Sequence, residues 1–143
     1  MREGTTPAAH VFPVRVYYED TDAGGVVYHA NYLRFAERAR TEMLREAGIV
    51  HSALMARDGL GFIVRRCAVD FLKPARLDDA LEVHTRVLGA TGARLEAEQT
   101  IRRGAEDMAR LVLEIACVDR EGRPQRLPNR LLTAFPAAIS PSS

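Results

Sequence analysis

The sequence predicts an α+β fold in which a five-stranded antiparallel sheet wraps around one long central helix. Three observations predict it. One strand-like segment near the amino terminus is followed by a single long amphipathic segment with helical periodicity. Four further strand-like segments then follow one another, joined by short connections rich in Gly and Asp that are typical of antiparallel neighbours. A helix with one apolar face needs a surface to cover it, and a curled sheet supplies that surface.

The first strand is predicted over residues 10–19, where apolar and polar side chains alternate as in a half-buried strand. Over residues 31–47 the apolar side chains recur at three- and four-residue steps, which indicates the long amphipathic helix. Gly48 is well placed to end this helix. A shorter helix is predicted over residues 51–58, stopping at Gly59.

Four strands complete the predicted sheet. The first of them is rich in β-forming residues and is ended by Pro74, and the other three alternate between apolar and polar side chains. A short helical turn near the carboxyl terminus follows the last strand. These strands and the turn are predicted over residues 62–72, 81–87, 93–102, 111–117 and 128–134.

Composition limits the classes of protein. The 143 residues, 47% of them hydrophobic, are typical of a single domain over residues 1–143, with 1–9 and 136–143 as loose tails. The net charge of +1 offers no basic surface of the kind that binds nucleic acid. No apolar stretch reaches the roughly 20 residues that span a bilayer. We therefore expect a cytoplasmic protein with no nucleic-acid partner and no membrane span.

The two cysteines, Cys67 and Cys117, each lie in an apolar strand-like run. Their spacing matches neither a metal-ligand set nor a redox pair. We expect two buried, reduced thiols, with a single disulfide as the minor alternative.

The segment with the most chemical character is YYEDTDAGGVVYHAN, residues 17–31, which leads into the long helix. The start of a helix has unpaired N–H groups and the positive end of the helix dipole, which suit a polarised carbonyl or a developing oxyanion. We expect the N–H groups around Val27 to His29 to be these donors. Gly24 and Gly25 allow a sharp turn and a close approach of a ligand.

Each of these residues also has a structural interpretation. Asp20 and Asp22 are of the type that forms turns and helix starts. His29 at a helix start is more often a hydrogen-bonded structural residue, and Tyr18 and Tyr28 are of a type that is more often found in cores or interfaces. Two aspartates and a histidine without a fourth ligand are a weak metal signal, and we expect no metal.

The segment DTDAGGVVYHANYLRFAERAR resembles the YbgC-like acyl-CoA thioesterases of the 4-hydroxybenzoyl-CoA thioesterase branch of the hotdog-fold superfamily. FLKPARLDDALEV, residues 71–83, is similar to the same family, and the likeness covers nearly the whole chain. The resemblance implies a hotdog fold and hydrolysis of a coenzyme A thioester, with coenzyme A as part of the substrate and no separate cofactor. It also implies a homodimer or homotetramer with sites between two subunits.

The resemblance assigns roles residue by residue. Asp22 falls on the catalytic carboxylate, and Tyr18 and His29 fall on the accompanying tyrosine and histidine. Asp22 would act either as a nucleophile that forms a mixed anhydride or as a general base on water, and the sequence does not separate the two. His29 would orient water or protonate the departing thiolate. Asp20 is expected to have a structural role, binding loop amides.

Substrate contacts are expected from the loop and from basic residues. Gly24, Gly25, Val27 and Tyr28 are the candidate substrate-binding residues of the loop. Coenzyme A carries phosphates, so arginine or lysine is expected near the mouth of the site. Arg65 and Arg66 stand out because they interrupt an apolar strand, and the full set of candidates is Arg65, Arg66, Lys73, Arg76, Arg94, Arg102 and Arg103.

Two other functions fit parts of the sequence. One is a hotdog dehydratase, which would move protons on a hydroxyacyl chain with an acidic residue and a histidine. The other is a non-catalytic acyl-CoA-binding or protein-binding module linked to the cell envelope, since relatives are associated with the Tol-Pal system. The acyl group, the choice between dimer and tetramer, and the choice between coenzyme A and acyl carrier protein as donor stay open.

Overall fold

A computed structural model describes residues 9–135. The expected loose tails lie outside the described residues, apart from Ala9. These residues form five strands and three α-helices in the order β1 (His10–Arg15), α1 (His29–Glu46), α2 (His51–Asp58), β2 (Gly61–Phe71), β3 (Ala80–Thr91), β4 (Arg94–Arg103), β5 (Glu106–Val118) and α3 (Asn129–Ala134).

The five strands form one antiparallel sheet in the order β1-β3-β4-β5-β2. The sequential strands β3, β4 and β5 are neighbours because their connections are short turns. The strands β1 and β2 form the two edges, and β2 carries a bulge between Val64 and Arg66. This arrangement confirms the predicted five-stranded antiparallel sheet.

Helix α1 packs on the sheet through the face that its periodicity predicted. Phe35, Ala36 and Ala39 are fully buried along this face. One polar group of the sheet also lies here, since the buried Gln99 donates from Nε2 to the Ala36 carbonyl at 2.9 Å and accepts from the Arg40 guanidinium at 2.9 Å. Because a buried polar group is costly unless it is paired, these bonds fix the helix at one position on the sheet.

The first strand is shorter than predicted. It ends at Arg15, and the chain then forms a 3-10 turn over Tyr18–Asp20. The Asp20 carboxylate accepts the Tyr17 N–H at 2.8 Å and closes this turn, so Tyr18 is 83% exposed instead of lying on the buried side of a strand. Helix α1 begins at His29, two residues before the predicted start.

The prediction of two buried thiols is wrong for one of them. Cys67 is exposed because it lies on the edge strand β2, whereas Cys117 is buried in the central part of the sheet. Both thiols are free, so the disulfide alternative is also wrong. In the part of the chain that the structure describes, no helix is both long enough and apolar enough to cross a membrane.

Candidate active site

The loop between β1 and α1 is a tight hairpin held by its own backbone. Thr21 and Val27 face each other in an antiparallel bridge. Inside that bridge the Asp22 N–H donates to the Val26 carbonyl at 2.9 Å, and the Gly25 N–H donates to the Asp22 carbonyl at 3.1 Å. The backbone on both sides of Asp22 is therefore fixed.

The Asp22 carboxylate is exposed and half anchored. Its Oδ1 accepts the Gly24 N–H at 2.8 Å and lies 3.4 Å from the Val26 nitrogen. Among residues 9–135 no group donates to Oδ2, so one oxygen orients the carboxylate and the other is available to a ligand. This geometry explains why positions 24 and 25 are occupied by glycine. A Cβ at Gly24 would lie 3.3 Å from Oδ1, and Gly25 has a φ of +81° that favours glycine.

The amides at the start of α1 are not equivalent. The Val27 N–H donates to the Ala75 carbonyl at 2.8 Å, and the Tyr28 N–H donates to the Asp20 carbonyl at 3.0 Å. These two N–H groups are already used, which does not support them as oxyanion donors. The His29 N–H has no acceptor within the described residues. Of the N–H groups expected to bind the oxyanion, that of His29, the first residue of the helix, is therefore the remaining candidate.

A cleft of about 200 Å³ lies beside this helix start. Its walls come from the loop, the first turn of α1 and the end of β2: Val26, Val27, His29, Tyr32, Phe71, Leu72, Lys73 and Pro74. The His29 ring packs against Phe71 with centroids 4.8 Å apart. The lining is mostly apolar, with one imidazole and one ammonium, which suits an acyl or pantetheine chain.

Tyr32 forms the floor of this cleft and is itself buried. Its hydroxyl accepts the Ala75 N–H at 3.0 Å. Burial raises the pKa of the Tyr32 phenol above its ordinary value, so the hydroxyl stays protonated at neutral pH. The phenol therefore joins the segment after β2 to the helix and does not act as a base.

Only some of the predicted site residues line this cleft. His29 and Val27 line it, whereas among residues 9–135 the lining includes neither Asp22 nor Tyr18. Tyr18 projects into solvent, and its hydroxyl makes no hydrogen bond within the described residues. Tyr28 is also exposed and lies beside the His29 ring, with centroids 6.3 Å apart.

Of the wall contributed by the segment after β2, the sequence predicts only Lys73 as a site residue. The pattern places Phe71, Leu72 and Pro74 in a strand and its end, and Tyr32 on the apolar face of the helix. The available signal is FLKPARLDDALEV, which supports the family resemblance and of which only Lys73 and Arg76 are predicted to contact substrate. The pairing of this segment with the loop depends on contacts between residues far apart in the chain.

The candidate phosphate-binding residues differ in whether they make ion pairs. Three make no ion pair within residues 9–135: Arg65 and Arg66, exposed on β2 beside the bulge, and Arg76, exposed opposite Val26 of the hairpin. Four others are in ion pairs: Lys73 with Glu106 at 2.8 Å, Arg94 with Glu114 at 3.2 Å, Arg102 with Asp107 at 3.0 Å, and Arg103 with Asp79 and Glu106 at 2.9 Å each. Arg65, Arg66 and Arg76 therefore stay the leading candidates.

No group of three or more His, Cys, Asp or Glu side chains in residues 9–135 is arranged to hold a metal ion. Attack on a thioester needs a polarised carbonyl and a carboxylate or water, and the loop and helix start offer both kinds of group.

Comparison with known proteins identifies the family. Residues 16–139 match the family model of the thioesterase-like superfamily. The chain is 46% identical over 125 residues to an acyl-CoA thioesterase YbgC of Haemophilus influenzae, which covers 87% of this chain and 92% of that protein. It is also 46% identical over 132 residues to an acyl-CoA thioester hydrolase YbgC of Escherichia coli, covering 87% and 93%.

The fold agrees with solved structures. A probable thioesterase from Bartonella henselae superposes with a TM-score of 0.81 at 43% identity, covering 85% of this chain and 100% of that one. A 1,4-dihydroxy-2-naphthoyl-CoA thioesterase from Synechocystis has the same fold with a TM-score of 0.83 at 24% identity, covering 89% and 95%. The resemblance read from the DTD segment is confirmed. The chain belongs to the thioesterase-like superfamily, among its YbgC-like hotdog-fold members.

Proposed function

We propose that this protein hydrolyses the thioester bond of acyl-CoA to a free acid and coenzyme A, with Asp22 as the catalytic carboxylate. One observation supports it above all: the half-anchored Asp22 carboxylate lies in a hairpin that leads directly into a helix whose first N–H, on His29, has no acceptor within residues 9–135 and can bind a carbonyl oxygen. The names of the YbgC relatives support acyl-CoA as the substrate class.

In the proposed reaction the thioester carbonyl oxygen accepts the His29 N–H, which stabilises the negative charge that develops on this oxygen. The loss of one such donor typically costs about 3 kcal/mol of transition-state stabilisation. Asp22 Oδ2 either attacks the carbonyl carbon, giving a mixed anhydride that water then hydrolyses, or removes a proton from the attacking water. In both routes the coenzyme A thiolate leaves, and the His29 imidazole protonates it or orients the water.

The test is thiol release from a panel of acyl-CoA esters of increasing chain length and of aromatic esters. We expect Asp22→Asn to lower kcat by at least about 100-fold, because the amide neither attacks nor accepts a proton. Asp58→Asn is the matched control, since it makes the same change at an exposed site on α2. Both variants should keep the wild-type melting temperature.

Two results would contradict this proposal. If the wild-type protein released no thiol from any ester, the thioesterase assignment would be wrong. If Asp22→Asn and Asp58→Asn were equally active, another group would be the catalytic carboxylate.

We also propose that the protein is a homodimer or homotetramer whose sites are completed between subunits. The edge strand β2 supports this, since its 11 residues expose Ile63, Val64 and Phe71 and its outer edge pairs with no strand among residues 9–135. The location of Asp22 and Tyr18 outside the His29 cleft of one chain supports it too. Sedimentation should give at least twice the mass of the chain, and a fully active monomer would refute the proposal.

The thioester substrate's carrier group and the protein's cellular location are further proposals. Coenzyme A thioesters are the preferred donors, and acyl carrier protein thioesters are the alternative that the same thiol assay would separate. Cytoplasmic localisation and association with the Tol-Pal system stay predictions from the sequence.

A further inference from the structure

The proposed mechanism does not use Asp20 or Asn31, yet both are buried, with 3% and 5% of their surfaces exposed. They lie at the junction between the Asp22 hairpin and α1. A buried carboxylate is costly unless hydrogen bonds compensate it, so its presence at this junction requires an explanation.

The bonds of Asp20 reach three different segments. Its Oδ2 accepts the Tyr17 N–H at 2.8 Å, which holds the chain after β1. Its Oδ1 accepts the Asn31 side-chain amide at 2.9 Å, which holds the first turn of α1. Its backbone carbonyl accepts the Tyr28 N–H at 3.0 Å, immediately before the helix.

These bonds enclose the proposed catalytic groups. Asp22 follows Asp20 by two residues, and His29 precedes Asn31 by two residues. The hairpin between them is closed by its own backbone bonds and is also bonded through its backbone to the segment after β2. Its two ends lie next to Asp20 and Asn31. The hydrogen bond between the Asp20 and Asn31 side chains directly joins those two ends.

We propose that Asp20 and Asn31 are positioning residues that fix the distance between the Asp22 carboxylate and the His29 N–H. This inference rests on the proposed function. A misplacement of about 1 Å between reacting groups can cost roughly 100-fold in rate. The pair therefore acts on the chemical step through Asp22 and His29, without touching the substrate.

The test uses an exchange of the two side chains. In Asn31→Asp two carboxylates face each other, so the side-chain hydrogen bond between positions 20 and 31 is lost and two like charges lie side by side. In the double variant Asp20→Asn/Asn31→Asp, the amide at position 20 accepts the Tyr17 N–H and donates to the carboxylate at position 31. The exchange restores all the hydrogen bonds and keeps the total charge.

We expect Asn31→Asp to lower kcat for an acyl-CoA ester by about 10- to 100-fold with KM nearly unchanged, and the exchange variant to recover most of kcat. Melting temperatures are measured in parallel, because a merely structural pair would change only the melting temperature. The concentration of folded protein in each sample is set from circular dichroism.

Two outcomes would overturn the inference. One is a folded Asn31→Asp variant with wild-type kcat. The other is an exchange variant that recovers its melting temperature but not its kcat, and this second result overturns the inference even if Asn31→Asp does not fold. If the proposed function itself fails, the wild-type protein releases no thiol at all, which distinguishes the two failures.

Discussion

The two ends of helix α1 are built in opposite ways. At the carboxyl end the Gly48 N–H donates to the Arg45 carbonyl at 3.0 Å, and the Ile49 N–H donates to the Leu44 carbonyl at 2.8 Å. This is a Schellman motif, which pairs carbonyls that a helix end otherwise leaves free. The Arg130 guanidinium adds a bond of 2.7 Å to the Gly48 carbonyl, so this end is closed.

The amino end is open. Tyr28 occupies the N-cap position but makes no side-chain capping bond, and the His29 N–H has no acceptor in residues 9–135. Serine, threonine, aspartate or asparagine at the N-cap would usually accept the N–H of the second or third helical residue, and Tyr28 provides no such acceptor. Helix α1 is therefore stabilised at the end away from the cleft, whereas the end at the cleft keeps an N–H available to a ligand.

The largest expected effect comes from removing that free donor. His29→Pro removes the backbone N–H, and proline is well tolerated at the first position of a helix. Tyr28, with φ of −67° and ψ of 140°, already has the conformation that a residue before proline requires. We expect kcat with an acyl-CoA ester to fall about 100-fold further than in His29→Ala, with similar melting temperatures.

His29→Ala is the matched control for this experiment, since it removes the imidazole and keeps the N–H. The ratio of the two kcat values therefore reports on the backbone donor alone. Equal kcat values in two folded variants would show that the open end of α1 does not bind the oxyanion.

The same contrast explains what could be predicted from the sequence. The end of α1 was predicted within a residue because Gly48, with φ of +85°, is a local signal of a left-handed C-cap. The start was predicted two residues late because no capping side chain marks it. A helix end that is left free for a ligand lacks the residues by which helix ends are recognised in a sequence.

The site was predictable only in part for a related reason. The motif pointed to Asp22, Tyr18 and His29, and it gave Asp20 a structural role that its bonds to the Tyr17 N–H and Asn31 agree with. The cleft wall from β2 was missed because it depends on contacts between distant segments. The exposed Cys67 was mistaken for a buried one because an edge strand has the same apolar pattern as an inner strand.

A smaller effect is expected at the closed end of α1. Gly48→Ala places a Cβ on a left-handed residue, where the new atom would lie 3.4 Å from Cδ of Arg130. A left-handed conformation costs an L-residue about 1–2 kcal/mol. We expect the melting temperature to fall by roughly 2–8 °C and kcat with an acyl-CoA ester to stay at the wild-type value.

Gly48→Asn is the control, because asparagine adopts the left-handed conformation more readily than alanine does. Its melting temperature should fall less than that of Gly48→Ala, and its kcat should equal the wild-type value. A loss of kcat in either variant would mean that the two ends of α1 are coupled through the helix. The division between an end that stabilises and an end that binds would then be wrong, since strain at Gly48 would reach the His29 N–H about 19 residues away.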